Sequence, residues 1–195
     1  LKNHFFEKIQ QIKSYFPGSN FLVMEYSSLK KEMLNDVDLV LTLGGDGTFV
    51  KAANLIENSY ILGINAEPEK SEGALTTITS EEITKLQEIQ RNNFQTKEFQ
   101  RIDIKLNGKL LDEKAINEVY LGTETQFHSS RYKITFQNKT EEQRSSGILV
   151  STGTGSKAWF CSAGGEPFDC DEKKLKFVVR EPYFGKRVFT PNILK

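Results

Sequence analysis

Phe5, Phe6, Ile9, Ile12 and Phe16 recur at near-helical spacing until Pro17-Gly18 interrupts them, which predicts an amphipathic helix packed on a sheet. Phe21 to Met24 then reads as a short strand, and the polar stretch from Ser28 to Leu34 as helical. A run of buried-strand character, Asp38-Leu39-Val40-Leu41-Thr42-Leu43, gives way to a helix from Thr48 to about Glu57, and Tyr60 to Ile64 forms the next strand. Strands alternating with helices predict a parallel α/β layer, in which ligands bind beyond the carboxyl ends of the strands. Thr79-Ser80-Glu81-Glu82 has the form of a capping box, and Ile83, Leu86 and Ile89 place apolar side chains on one face of the helix it starts.

The texture changes after Asn92-Asn93. Arg101 to Leu106 and Lys109 to Leu111 flank Asn107-Gly108, the pattern of a hairpin with a two-residue turn. Alternating stretches at Tyr132 to Phe136 and Phe177 to Val179 continue the β character, while Asn138 to Arg144 reads as a solvated polar loop. The expected domains are therefore 1–97, α/β, and 98–195, β-rich. No internal repeat or low-complexity segment is evident.

Composition narrows the function classes. Lysine plus arginine equals aspartate plus glutamate, at 26 each, so the chain has no overall bias toward nucleic acid or an anionic membrane, and any anion preference must be local. Cys161 and Cys170 lack the partners of a structural zinc site and read as ordinary thiols in a reducing compartment; no metal ligand is assigned. No apolar run approaches the roughly twenty residues that span a bilayer, and no secretory signal is visible. The chain opens at Leu1, which leaves a removed targeting segment open.

The candidate chemistry begins at Gly44-Gly45-Asp46-Gly47-Thr48, where the strand ending at Leu43 meets the following helix. Glycines there can take positive φ and approach a ligand closely, and the unpaired N–H groups of a helix start attract anions. Asp46 in such a turn suits a general base or a magnesium partner beside a phosphate being transferred; the plainer alternative is a helix cap. Asn117-Glu118 interrupts an otherwise apolar strand from Ala115 to Leu121, where an amide and a carboxylate can bond a base and a ribose hydroxyl or, alternatively, simply close a strand end. Ser146 to Trp159 reads as a strand followed by a loop of small hydrogen-bonding residues, Thr152-Gly153-Thr154-Gly155-Ser156, that could meet a nucleoside edge. Trp159 offers a flat face to a base, or else is a core aromatic.

Together, in this order and spacing, these three segments resemble the NAD kinase family over most of the chain. Within it, Gly63-Ile64-Asn65-Ala66-Glu67-Pro68-Glu69-Lys70-Ser71-Glu72-Gly73, the Gly-Ser-Lys-Ala-Trp run, and Arg180-Glu181-Pro182 followed by Arg187-Val188-Phe189 are most similar to the mitochondrial-type branch. The resemblance implies a Rossmann-like α/β N-terminal domain, a β-sandwich-like C-terminal domain and an active site in the cleft between them. Family members usually continue past the position of Lys195, so the second domain is expected to be incomplete.

The implied reaction is phosphorylation of the adenosine-ribose 2′-hydroxyl of NAD by ATP, with magnesium screening the phosphates. Asp46 would be the catalytic base, and Gly44, Gly45, Gly47 and Thr48 would cradle phosphate. Asn117 would bond adenine and Glu118 ribose, with Lys157, Ala158, Trp159 and Ser162 lining the adenosine pocket. Many members carry Thr and Tyr where this chain has Lys157 and Trp159, and a lysine is a hydrated point charge suited to a phosphate rather than to an adenine edge. A homodimer or larger homo-oligomer in mitochondria, otherwise in the cytoplasm, is expected, with small-molecule substrates and neither nucleic acid nor membrane as partner. Two other readings share part of the pattern: a lipid kinase of the diacylglycerol or sphingosine type, which carries a similar GGDGT loop, and a catalytically silent NAD(P)-binding module. The Asn-Glu pair and the Thr-Gly-Thr-Gly-Ser loop favour a dinucleotide over a lipid.

Overall fold

The computed structural model describes residues 2–125, 127–186 and 189–195. The chain divides into two compact units, Leu1–Lys97 and Glu98–Lys195.

The first unit opens with helix α1 (Lys2–Ser14). Ile12 is buried and Phe5, Ile9 and Phe16 are partly covered, whereas Phe6 is 62% exposed and lies off the packed face. Strand β1 (Leu39–Leu43) leads through a short turn into α2 (Asp46–Leu55), then β2 (Tyr60–Asn65) and β3 (Ile78–Thr79). These strands form a parallel sheet in the order β1-β2-β3, with Leu41 opposite Leu62 and Leu43 opposite Ile64. Period-two alternation sends Leu41, Leu43, Leu62 and Ile64 toward Ile12, Ile78, Ile83 and Leu86. Gly63 faces the other way, against Phe49 of α2. Helix α3 (Leu86–Gln90) follows a 3₁₀ turn at Ile83–Lys85. The capping box is half formed, since the Glu82 carboxylate accepts the Thr79 N–H at 3.1 Å.

Two expectations for this unit are corrected. Phe21 to Met24 joins no sheet, and Ser28 to Leu34 yields only short 3₁₀ turns at Tyr26–Ser28 and Lys31–Leu34. Phe21, Leu22 and Val23 remain exposed, so no burial rewards ladder formation there.

In the second unit, β4 (Lys105–Leu106) and β5 (Lys109–Leu110) form the hairpin turned by Asn107 and Gly108, both at positive φ. Strands β6 (Glu118–Leu121), β9 (Ile148–Ser151) and β10 (Lys176–Val179) form an antiparallel sheet in the order β10-β9-β6. Between them in sequence lies a hairpin of β7 (Ser130–Phe136) and β8 (Lys139–Ser145). The segment read as a polar loop is thus mostly strand. Gln137 and Asn138 both take positive φ, which supplies the tight turn, and the polar residues of β8 lie on a strand with much of its length exposed. The short helix α4 (Trp159–Ser162) places Phe160 in a core with Leu149, Phe168 and Val178.

Candidate active site

Each unit contributes its own set of candidate residues. In the first, the Gly44 N–H donates to Ile64 O at 2.9 Å, closing the end of β1, and Gly45 occupies the N-cap of α2 in extended conformation with no side-chain cap. The Thr48 N–H already donates to Gly45 O at 3.0 Å, and the start of a helix carries a partial positive charge that favours an anion. Gly44, Gly45 and Gly47 are not in the left-handed region, which corrects the expectation of positive φ. Close packing explains two of them. A Cβ on Gly44 would lie 2.6 Å from Thr48 Oγ1 and one on Gly45 2.7 Å from Ser71 Oγ, while at Gly47 nothing stands within 4 Å and a ligand can approach the bare backbone.

Asp46 does not cap its own helix. Its Oδ1 accepts the Leu75 N–H at 2.8 Å and its Oδ2 the Ala74 N–H at 3.1 Å. The loop that provides these donors is shaped by buried Asn65 at the end of β2. Asn65 donates through Nδ2 to Ser71 O at 3.1 Å, and its Oδ1 accepts the Glu67 N–H at 3.2 Å. Gly73, at φ +66, turns the chain so close to Asn65 that a Cβ would fall 2.5 Å from Nδ2. Lys70 pairs with Glu67 at 2.6 Å on the exposed side of this loop, and that hydrogen bond raises its pKa.

In the second unit, Asn117 immediately precedes β6 and Glu118 begins it, opposite Ser151 of β9. The Asn117 carbonyl accepts the Thr152 N–H at 2.9 Å. Gly155 packs directly on this carbonyl, since a Cβ there would lie 2.5 Å from the Asn117 C and O atoms. The side chains are less well served. Asn117 Oδ1, Glu118 Oε2 and Thr154 Oγ1 are buried without a hydrogen-bond partner among the described residues. Burial raises the Glu118 pKa above the ordinary carboxylate value. Leaving a polar atom buried and unpaired costs about 1–3 kcal/mol, so these three oxygens are candidate ligand contacts.

The remaining loop hydroxyls are committed to the fold, which corrects the reading that the loop at large offers them to a nucleoside. Thr152 Oγ1 donates to Ile116 O at 2.6 Å, and the single Ser156 hydroxyl proton lies between Gly153 O at 2.7 Å and Phe168 O at 2.9 Å while Oγ accepts the Phe168 N–H at 3.0 Å. Small hydroxyls bridge tightly folded backbone segments, and that use is indistinguishable from ligand binding in the sequence. Lys157 and Ala158 are exposed. Trp159 is 40% exposed and is not a core residue; its ring lies 5.2 Å from that of Tyr120 and 5.1 Å from the Arg180 guanidinium carbon. Ser162 lies on the exposed side of α4 and donates to Ala158 O at 3.4 Å. Thr154, Tyr120 and Arg180 join the candidate residues from the structure. Arg187 and Val188 lie outside the described residues.

Among the described residues, no group of three or more His, Cys, Asp or Glu side chains could hold a metal ion, and no helix is long and apolar enough to cross a membrane.

Residues 3–92, including the whole Gly44–Thr48 turn and the loop that fixes Asp46, match the model of the ATP-NAD kinase N-terminal domain. The chain is 31% identical over 184 residues to an NAD kinase of Clostridium botulinum, covering 89% of this chain and 61% of that protein. Residues 3–92 carry the N-terminal domain of the NAD kinase family, and the similarity to NAD kinases continues through most of the chain. Human mitochondrial NAD kinase 2 is 29% identical over 174 residues, which cover 66% of this chain and 39% of that protein. The fold is shared with an NAD kinase from Archaeoglobus fulgidus, solved in complex with ATP, at a TM-score of 0.72 and 19% identity, over 97% of this chain and 72% of that one. The chain spans between about two fifths and three fifths of these two curated NAD kinases.

Proposed function

We propose that the protein phosphorylates the 2′-hydroxyl of the adenosine ribose of NAD with ATP, giving NADP and ADP. The 2′-oxygen forms a bond to the γ-phosphorus, the bond from that phosphorus to the β,γ-bridging oxygen breaks, and the hydroxyl proton passes to the Asp46 carboxylate. Phosphoryl transfer of this kind needs mainly alignment, charge neutralisation and removal of one proton. Two backbone N–H donors fix the Asp46 carboxylate in orientation while each oxygen keeps a lone pair for that proton. Magnesium enters with the phosphates of ATP rather than in a cage of protein ligands.

The observation that carries this reading is the pair of orphaned buried oxygens on Asn117 and Glu118. Glu118 can accept the ribose hydroxyls. Asn117 Oδ1 can accept the amino group of adenine. The pattern favours a nucleoside over a lipid hydroxyl, which would leave both oxygens unpaired. Gly44, Gly45, Gly47 and Thr48 act on phosphate, and Trp159, Ala158 and Ser162 wall the adenosine. Lys157, exposed and cationic, is assigned to phosphate. On the resemblance already described, the protein acts in mitochondria as a homodimer or larger homo-oligomer.

Incubating the purified protein with NAD and magnesium, once with ATP and once with polyphosphate, tests the reading directly. NADP should form with ATP. No NADP with either donor, from a chain that is folded and binds ATP, would overturn the assignment.

A further inference from the structure

The Arg180 guanidinium lies against two aromatic rings at once. Its carbon is 5.1 Å from the centroid of Trp159 and 5.9 Å from that of Tyr120, and the two rings are 5.2 Å apart at an interplanar angle of 38°. Three separate segments meet here: Tyr120 from β6, Trp159 from the start of α4, and Arg180 from the residue after β10. Two of the three are pinned. The Tyr120 hydroxyl donates to Ser146 O at 2.7 Å. The Arg180 N–H donates to Gly147 O at 2.8 Å, and its carbonyl accepts the Ser146 N–H at 3.0 Å. The same two residues, Ser146 and Gly147, therefore hold both neighbours of the tryptophan.

Trp159 sits on a helix of only four residues, with two fifths of its surface open. A ring so placed has rotamers to lose when a ligand stacks on it, and a ligand that must first order it binds less tightly. The Arg180 side chain removes part of that freedom through a cation–π contact with the ring. The guanidinium also forms a salt bridge with the exposed Glu181 carboxylate at 3.7 Å, too long for a hydrogen bond and screened by solvent.

We propose that Arg180 is a positioning residue that fixes the plane of Trp159 against Tyr120, so that the open face of the indole receives a flat nucleobase. The base is the adenine of NAD, which rests on the function proposed above. A planar guanidinium can stack on the ring where an ammonium acts only as a point charge, so lysine at this position restores part of the effect.

The test uses the fact that Trp159 is the only tryptophan in the chain. Emission wavelength, anisotropy and acrylamide quenching are first measured without nucleotide on the parent, Arg180→Gln and Arg180→Lys. Arg180→Gln should give a more mobile and more readily quenched indole, with Arg180→Lys intermediate. In steady-state assays Arg180→Gln should raise KM for NAD about 3- to 30-fold, the range of a cation–π contact, with kcat and KM for ATP within about 2-fold. Unchanged emission overturns the proposal, as does looser emission with unchanged KM for NAD. If Arg180→Gln melts early, Arg180→Lys decides by the same two readouts. A parent that makes no NADP overturns the proposed function instead, and the nucleotide-free emission still reads whether Arg180 holds Trp159.

Discussion

Asp46 Oδ1 accepts the backbone N–H of Leu75 at 2.8 Å, tying the first residue of α2 to a loop 29 residues further along. The Ala74 N–H holds the other oxygen, so the carboxylate belongs to that loop and not to the cap of its own helix. Replacing it with asparagine sets an NH₂ group against a backbone donor. Asp46→Asn should therefore lower turnover about 10²–10⁴-fold for loss of the base. It should cost little stability, about 1 kcal/mol or less, because the amide oxygen can keep the Leu75 N–H and the exposed Ala74 N–H can turn to water. Turnover, NAD affinity and melting temperature measured on one preparation separate the two effects. An Asn variant with parental turnover removes Asp46 from the chemistry.

Asn117 and Glu118 make an unusual forecast for buried polar residues. Asn117 Oδ1 and Glu118 Oε2 have no partner to lose among the described residues, so Asn117→Ala and Glu118→Ala should leave the ligand-free protein nearly as stable as the parent. Affinity should suffer instead, with KM for NAD rising more than KM for ATP, each change corresponding to roughly 1–3 kcal/mol. A large fall in melting temperature with equal effects on both substrates would assign the pair to folding.

The Glu118 pKa also sets a pH signature. Burial raises it in the folded protein above the ordinary value of 4.5. As pH rises past that value the unfolded chain releases this proton first, so the folded state holds more protons and stability falls until pH passes the raised folded value. The contribution of Glu118 is thus full in acid and lost toward neutrality. Glu118→Gln should abolish that part of the pH dependence and melt higher than the parent at neutral pH. Parallel melting curves for parent and variant from pH 4 upward would sink the prediction.

The parallel layer and the position of Gly44–Thr48 were legible because continuous apolar runs and a glycine turn leave local marks. What the Asp46 oxygens bond was not, because Ala74 and Leu75 contribute backbone N–H groups that any residue carries. Strand β8 was hidden for a different reason: Lys139 to Ser145 is polar throughout, and its strand is set by the positive-φ turn at Gln137-Asn138 and by pairing with β7. In the Thr152–Ser156 loop the sequence shows a run of small hydrogen-bonding residues. It could not separate Thr154, whose hydroxyl is left unpaired, from Thr152 and Ser156, whose hydroxyls brace the backbone.

Gly155 shows how tightly that loop is set against the Asn117-Glu118 pair. A Cβ there would stand 2.5 Å from the Asn117 carbonyl, and backbone cannot swing aside as a side-chain end can. Gly155→Ala should push Asn117 out of register, costing about 1–3 kcal/mol of stability and raising KM for NAD. A variant that matches the parent in both would mean that the contact relaxes freely.

Trp159 offers the sharpest choice between a structural and a binding role. An aromatic in a core costs about 3–5 kcal/mol when cut to alanine, but Trp159 is 40% exposed, and the neighbouring Phe160, at 1%, fills the core position. Trp159→Ala should therefore melt close to the parent, while Phe160→Ala should melt far below it. Loss of a stacking face should weaken NAD binding by about 1–3 kcal/mol, by analogy with aromatic stacking on nucleic-acid bases. Calorimetric titration of NAD into the two folded proteins measures the difference without relying on the fluorophore that has been removed. A well-folded Trp159→Ala protein with parental affinity would take the indole out of the adenosine wall, and with it the reason for Arg180 to hold the ring.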